Sequence, residues 1–141
     1  MENGFLLQIH KTLYTAIYPN GYPFDSLFDE VTTVTNPKDI EKEDSVLVIW
    51  GGGDISPTLY GHAPIECSGA EVALSYRDKI EWNLAKEAVK RGIPIIGVCR
   101  GAQMMCAMAG GYLIQDVKGH GMSHTILTKE GEEYLSSSLH H

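Results

Sequence analysis

An α/β fold built on a mostly parallel sheet is what this sequence predicts, and three observations predict it. Residues 45–50, Ser-Val-Leu-Val-Ile-Trp, are apolar on both faces, as a strand covered on both sides of a parallel sheet must be. A long amphipathic stretch, 71–91, runs through Gly92 into a second apolar segment, Ile93 to Val98, which is the αβ half of a crossover unit. Both apolar segments end in glycine-bearing turns, Trp50-Gly51-Gly52-Gly53 and Gly97-Val98-Cys99. Open α/β sheets bind ligands outside the carboxyl ends of their strands, so two neighbouring turns of this kind would open into one cleft.

Each element follows from local chemistry. Residues 5–10 read as a first strand. The stretch onward to Asp25 is rich in Tyr, Pro and Gly (Tyr18-Pro-Asn-Gly-Tyr-Pro23) and is expected to be mostly loop. A helical turn over 26–30 and a β-branched second strand over Val31 to Val34 come next. Asn36-Pro37 and the charged residues 38–44 form a polar connection to the 45–50 strand. Within 71–91, Ile80, Leu84 and Ala88 recur every fourth residue with Ala85 and Val89 beside them, which turns one helix face toward a sheet. Gly92 ends that helix and Pro94 keeps it from resuming. A second helix over 100–109 stops at Gly110-Gly111, followed by short strands at 112–115 and 124–128 and a turn at Glu130-Gly131. The length, 141 residues, suits one domain.

Composition narrows the function classes. Eleven Lys and Arg against 18 Asp and Glu give a net charge of −7, with no basic cluster to meet a nucleic-acid backbone or an anionic membrane. The cysteines, Cys67, Cys99 and Cys106, are three in number and form no Cys-x-x-Cys pair, so neither a disulfide framework nor a zinc site is expected. Asp54 with Asp78, lacking histidine support, makes a poor metal site; no metal and no cofactor is expected. No stretch has the length of a membrane span, and the N-terminus lacks the pattern of a signal peptide, so a cytoplasmic, reducing compartment is expected.

The chemistry concentrates at Cys99. A sulfur on a strand-to-helix turn is presented at the end of the sheet, and the helix N-terminus beneath it favours the nucleophilic thiolate. Gly97 and Gly101 let the backbone turn sharply there. Burial as a small core residue is the competing reading, since cysteine is among the most buried residue types. The Gly51-Gly52-Gly53 turn sharpens the first reading. A backbone N–H from it and the N–H of Arg100 could both aim at a developing oxyanion. Arg77 and Glu81, spaced i and i+4, are expected to form a solvated ion pair, while Met104, Met105, Met108 and Cys106 are expected to pack in the core.

Taken together, Trp50-Gly-Gly-Gly-Asp-Ile-Ser-Pro-Thr-Leu-Tyr-Gly61, Arg77-Asp78 with Glu81, Gly97-Val-Cys-Arg-Gly-Ala-Gln103 and Gly110-Gly-Tyr-Leu-Ile-Gln-Asp116 make the chain resemble the class I glutamine amidotransferase-like hydrolases. The branch it resembles is the gamma-glutamyl hydrolase-like one, to which the Arg after the cysteine points. The resemblance implies a flavodoxin-like three-layer sandwich and a Cys–His–Glu triad. It implies that Cys99 attacks a gamma-glutamyl or glutamine side-chain amide, forms a thioester, and is released by water. Gly52, with Gly53 beside it, and the Arg100 N–H would form the oxyanion hole, and Gln103 would lie close to the substrate.

One departure qualifies the match. The family's catalytic His and Glu form a His-x-Glu pair well beyond the nucleophile, and no His-x-Glu follows Cys99 here. Ser136-Ser-Ser-Leu-His-His141 resembles instead the segment that precedes that pair, so the chain is expected to be truncated before its triad is complete. On that reading His140 and His141 line the substrate cleft; a remnant of a purification tag is the other reading of the same two residues. Three functional expectations remain open: a thiol amidase, a binding or regulatory module keeping the fold without catalysis, and a glutaminase subunit feeding ammonia to a partner synthase. Were nothing to follow His141, an unfinished sheet edge would be exposed and would favour association or aggregation, with a homodimer as the alternative to that outcome.

Overall fold

The computed structural model describes residues 11–63, 73–119 and 122–137. Among the described residues, four parallel strands form the main sheet: β1 (Thr12–Ala16), β2 (Glu30–Val34), β3 (Ser45–Ile49) and β4 (Ile95–Gly97), in the spatial order β2-β1-β3-β4. Strand order steps outward in both directions from the β1–β3 pair, the topology of a flavodoxin-like α/β fold. Helices α1 (Tyr76–Lys90) and α2 (Arg100–Met108) pack on one face, and a separate antiparallel hairpin joins β5 (Ser123–Leu127) to β6 (Glu133–Ser137).

The 45–50 strand sits where its composition requires, with every residue of β3 buried between β1 and β4. Leu47 and Ile49 face the helices with Leu84, Ala88 and Met104, while Val46 and Val48 join Leu13 on the opposite face beneath Phe24 and Phe28. One expectation fails here. Thr12–Ala16 lies in the stretch read as loop, yet it is a wholly buried central strand. Its two threonines are what mislead. They count as polar in the sequence, but Thr15 Oγ1 hydrogen-bonds Thr33 Oγ1 of β2 at 3.0 Å, and Tyr14 Oη accepts from the backbone N–H groups of Glu41 and Lys42. Satisfied in this way, hydroxyls can be buried at little cost. The strand expected over 5–10 lies outside the described residues.

Helix α1 begins at Tyr76. Ser75 caps it, accepting from the Asp78 N–H, while the Asp78 carboxylate accepts from the Ser75 N–H, a reciprocal capping box. At its far end the Ile93 N–H bonds the Ala88 carbonyl and the Gly92 N–H that of Val89, with Gly92 left-handed at φ 68°. Helix α2 ends by the same device, through Gly110 and Gly111. The expected strand at 112–115 does not form; Gln115 instead donates to the Ala63 carbonyl and Leu113 packs on the core as an irregular segment. The strand expected at 124–128 forms as Ser123–Leu127, and β6 returns along it after a turn with Gly131 at φ 84°. Among the described residues no helix is long and apolar enough to cross a membrane.

Candidate active site

Cys99 stands between β4 and α2 with φ 51° and ψ −108°, a left-handed conformation that a side-chain-bearing residue adopts only under constraint. The constraint is close packing on both sides of the turn. A Cβ built on Gly101 would lie 2.1 Å from the Ile49 carbonyl oxygen, and one on Gly97 would lie 2.6 Å from the Gly101 backbone. Glycine at both positions lets α2 start in direct contact with β3 and β4. The thiol itself is exposed. The first N–H groups of a helix lack intrahelical acceptors, so the Arg100 N–H is available beside it.

The glycine turn after β3 lies against this elbow. A Cβ on Gly51 would come 3.2 Å from the Cys99 Cβ and 3.9 Å from its sulfur. Gly52 has φ 146° and a Cβ there would meet Arg77 Nη1 at 2.3 Å, so only glycine fits. Gly53 is exposed and nothing crowds it. The structure therefore brings Cys99, Gly51, Gly52 and Arg100 together at the carboxyl ends of β3 and β4. Gln103, one helical turn past the cysteine, reaches into the same loop. Its Nε2 donates to Asp54 Oδ1 at 2.7 Å and its Oε1 accepts from the Ile55 N–H at 3.2 Å. His140 and His141, together with Cys67 and His120, lie outside the described residues.

Beneath the elbow is a charged cluster that the sequence reading underestimated. Arg77 and Glu81 do pair, Nε to Oε1 at 2.7 Å, but Glu81 is fully buried rather than solvated. Arg100 is buried with it and bonds Asp78 Oδ1 at 2.5 Å, with Glu81 Oε2 3.5 Å away. The buried stripe of α1 thus runs Asp78, Glu81, Leu84, Ala85, Ala88, and Val89, expected on that face, is exposed. Burial pushes the Glu81 carboxyl above its ordinary value, opposed by Arg77 and then Arg100. Burial likewise lowers the Arg100 guanidinium, opposed by Glu81 and Asp78. The signal available in the sequence was Arg77, Asp78 and Glu81 at the start of one helix and Arg100 at the start of the next.

A second group flanks the site. His62 stacks on Tyr112, ring centroids 5.5 Å apart, with Tyr60 edge-on at 5.3 Å. Burial, with the neighbouring Asp54 charge, raises the Tyr60 phenol above its ordinary value. Cys106 is half-buried under Tyr112. Among the described residues no group of three or more His, Cys, Asp or Glu is placed to hold a metal.

Comparison with known proteins bears on this geometry. The family model described as Peptidase C26 matches residues 35–140, well over half of the chain. The chain is 41% identical over 71 residues to "Putative glutamine amidotransferase-like protein YvdE" of Lactococcus lactis subsp. lactis, covering 50% of this chain and 29% of that protein. It is 39% identical over 77 residues to "Putative glutamine amidotransferase Rv2859c" of Mycobacterium tuberculosis, covering 52% and 24%. Protein NtpR of Enterococcus hirae is 45% identical over 71 residues, covering 50% and 29%. The chain thus spans less than a third of the length of these relatives. A strained cysteine turn against a glycine turn, in a sequence that the family model covers from before β3 onward, places the conclusion: the chain belongs to the peptidase C26 family of class I glutamine amidotransferase-like proteins, a hydrolase-type family.

Proposed function

We propose that this chain supplies the cysteine nucleophile of an amide hydrolase acting on a gamma-glutamyl or glutamine side-chain amide. The observation that carries the reading is the strained, exposed Cys99 turn lying against Gly51 and Gly52. In the reaction the Cys99 sulfur bonds to the amide carbon, and the carbonyl electron pair moves onto oxygen. The Gly52 and Arg100 N–H groups, with Gly53 as a neighbour, hold that oxyanion. Collapse restores the carbonyl, breaks the C–N bond and releases ammonia or an amine once the nitrogen takes a proton. Water then cleaves the thioester and restores the thiol. A His, paired with Glu in the related family, is the expected proton carrier, and His140 and His141 are proposed to line the cleft. Gln103 is proposed to set the cleft wall through its grip on residues 54 and 55. A reducing, cytoplasmic compartment suits a free catalytic thiol. The amidotransferase names of the relatives favour a second reading, delivery of ammonia to a partner synthase; it predicts a rate that rises on complex formation.

The test is labelling by a glutamine-like electrophile, located by peptide mass spectrometry. Modification of Cys99 at least about tenfold faster than of Cys67 and Cys106 supports the reading. Equal, slow labelling of all three thiols overturns it in favour of a binding module that keeps the fold alone.

A further inference from the structure

We infer that Arg77 is a positioning residue that aims the Gly52 N–H at the oxyanion. The inference rests on the amide hydrolase reading above. Arg77 lies on the first turn of α1, far from Cys99 in sequence, and its guanidinium is held through Nε and Nη2. Its Nη2 donates to the carbonyl of Trp50 at 2.8 Å and to that of Gly51 at 2.9 Å. Its Nε is fixed by Glu81 Oε1 at 2.7 Å, and its carbon sits 4.8 Å from the centre of the Tyr18 ring. Glu81 is fully buried, so the guanidinium is anchored from within the protein rather than from solvent.

The Gly51 carbonyl and the Gly52 N–H belong to one peptide unit. In a trans peptide the two point in opposite directions, so holding the carbonyl fixes where the N–H points. With the carbonyl turned onto Arg77, the Gly52 N–H faces away from the guanidinium. A charged donor on the carbonyl also polarises the peptide and makes its N–H a stronger donor. Glycine suits position 52 because its φ of 146° is one that side-chain-bearing residues rarely adopt, and the guanidinium also lies where a Cβ would be, 2.3 Å from Nη1. In this role Arg77 acts through one peptide plane and not on the reacting atoms themselves.

Two reagents separate this role from a general structural one. An aldehyde analogue of the glutamine side chain adds the Cys99 thiol across its carbonyl: a C–S bond forms, the proton passes to oxygen, and that oxygen sits in the oxyanion hole. Iodoacetamide alkylates the same sulfur by displacing iodide and develops no oxyanion. In the full chain, Arg77→Ala is expected to weaken the aldehyde adduct about tenfold to a hundredfold. Its iodoacetamide rate at Cys99 should stay within about twofold, as should the rate at half-buried Cys106, which reports unfolding. Arg77→Lys, keeping a charge and a donor, should recover part of the adduct. Equal losses with both reagents, or no loss with either, overturn the inference. Failure of the amide hydrolase reading looks different: wild-type Cys99 itself would form no aldehyde adduct.

Discussion

Replacing Gly101 by alanine sets two known effects against each other, and the structure decides which wins. In a helix, alanine is favoured over glycine by roughly 0.5–1 kcal/mol. The added methyl would lie 2.1 Å from the Ile49 carbonyl oxygen, 2.9 Å from its carbon and 3.2 Å from its Cβ. A carbon and a carbonyl oxygen settle at roughly 3.3 Å or more, so α2 must recede from β3 by about 1 Å. The obstacle is backbone of a central strand, which cannot step aside as a side chain could. Overpacking of this kind costs about 1–3 kcal/mol, so Gly101→Ala should be less stable by about 1–2 kcal/mol despite the helix propensity. The same 1 Å lifts Cys99 from the glycine turn, and a misplacement of that size lowers reactivity by about a hundredfold. Urea unfolding gives the first quantity; the rate of Cys99 labelling by a glutamine-like electrophile gives the second. Exposed Ala102→Gly, on the same turn, is the control for propensity alone. A Gly101→Ala protein at least as stable as wild type, with unchanged labelling, would refute the close contact between α2 and β3.

Two further outcomes follow from the buried charges. Asp78→Ala removes the partner of buried Arg100 as well as the α1 cap. It should lower stability by about 3–5 kcal/mol, with Asp78→Asn regaining about 1 kcal/mol through the cap; denaturant titration would contradict this with a loss under about 1 kcal/mol. Glu81 has a folded-state pKa raised above its ordinary 4.5 by burial, with Arg77, Arg100 and Asp78 around it. A raised carboxyl contributes stability that is fully present below its unfolded value and is lost as pH rises through its folded value. Wild type should therefore lose stability relative to Glu81→Gln from about pH 4 upward, and a gap that is constant or widens the other way in urea titrations would refute it.

The parts of the fold that the sequence carries openly are those where one residue type serves one purpose. Ser45–Ile49 is apolar because both its faces are covered, and Gly92 and Gly110 stop helices because their left-handed turns exclude a Cβ. Thr12–Ala16 was hidden because threonine can be buried once its hydroxyl has a partner on the next strand, and that partner, Thr33, is far away in the chain. Residues 112–115 misled in the other direction: Tyr112 and Ile114 are apolar but exposed, and the segment's contacts go to residues 60–63 instead of a neighbouring strand. At the candidate site, the sharp turns carrying Cys99 and Gly52 could be read from the sequence, because each takes a special backbone conformation. The burial of Asp78, Glu81 and Arg100 could not, since i and i+4 charge pairs look alike whether solvent or core lies beside them.

The register of the sheet also bears on how the thiol comes to exist as a reagent at all. Strand β1 meets β2 between residues 18 positions apart, Thr15 and Thr33, whereas β3 meets β4 between Val48 and Ile96, about 48 positions apart. Closing the longer loop costs about 0.9 kcal/mol more chain entropy. Strand β4 is also the shortest of the four, with three residues to repay it. On loop entropy alone, its docking is expected to come late in assembling these four strands and to be undone early. Until it occurs, Cys99 is an ordinary thiol on a mobile chain, open to indiscriminate oxidation. If Cys99 is the nucleophile proposed above, its selectivity is in this sense a folding readout: the ratio of targeted to indiscriminate modification should track the fraction of molecules with β4 in place.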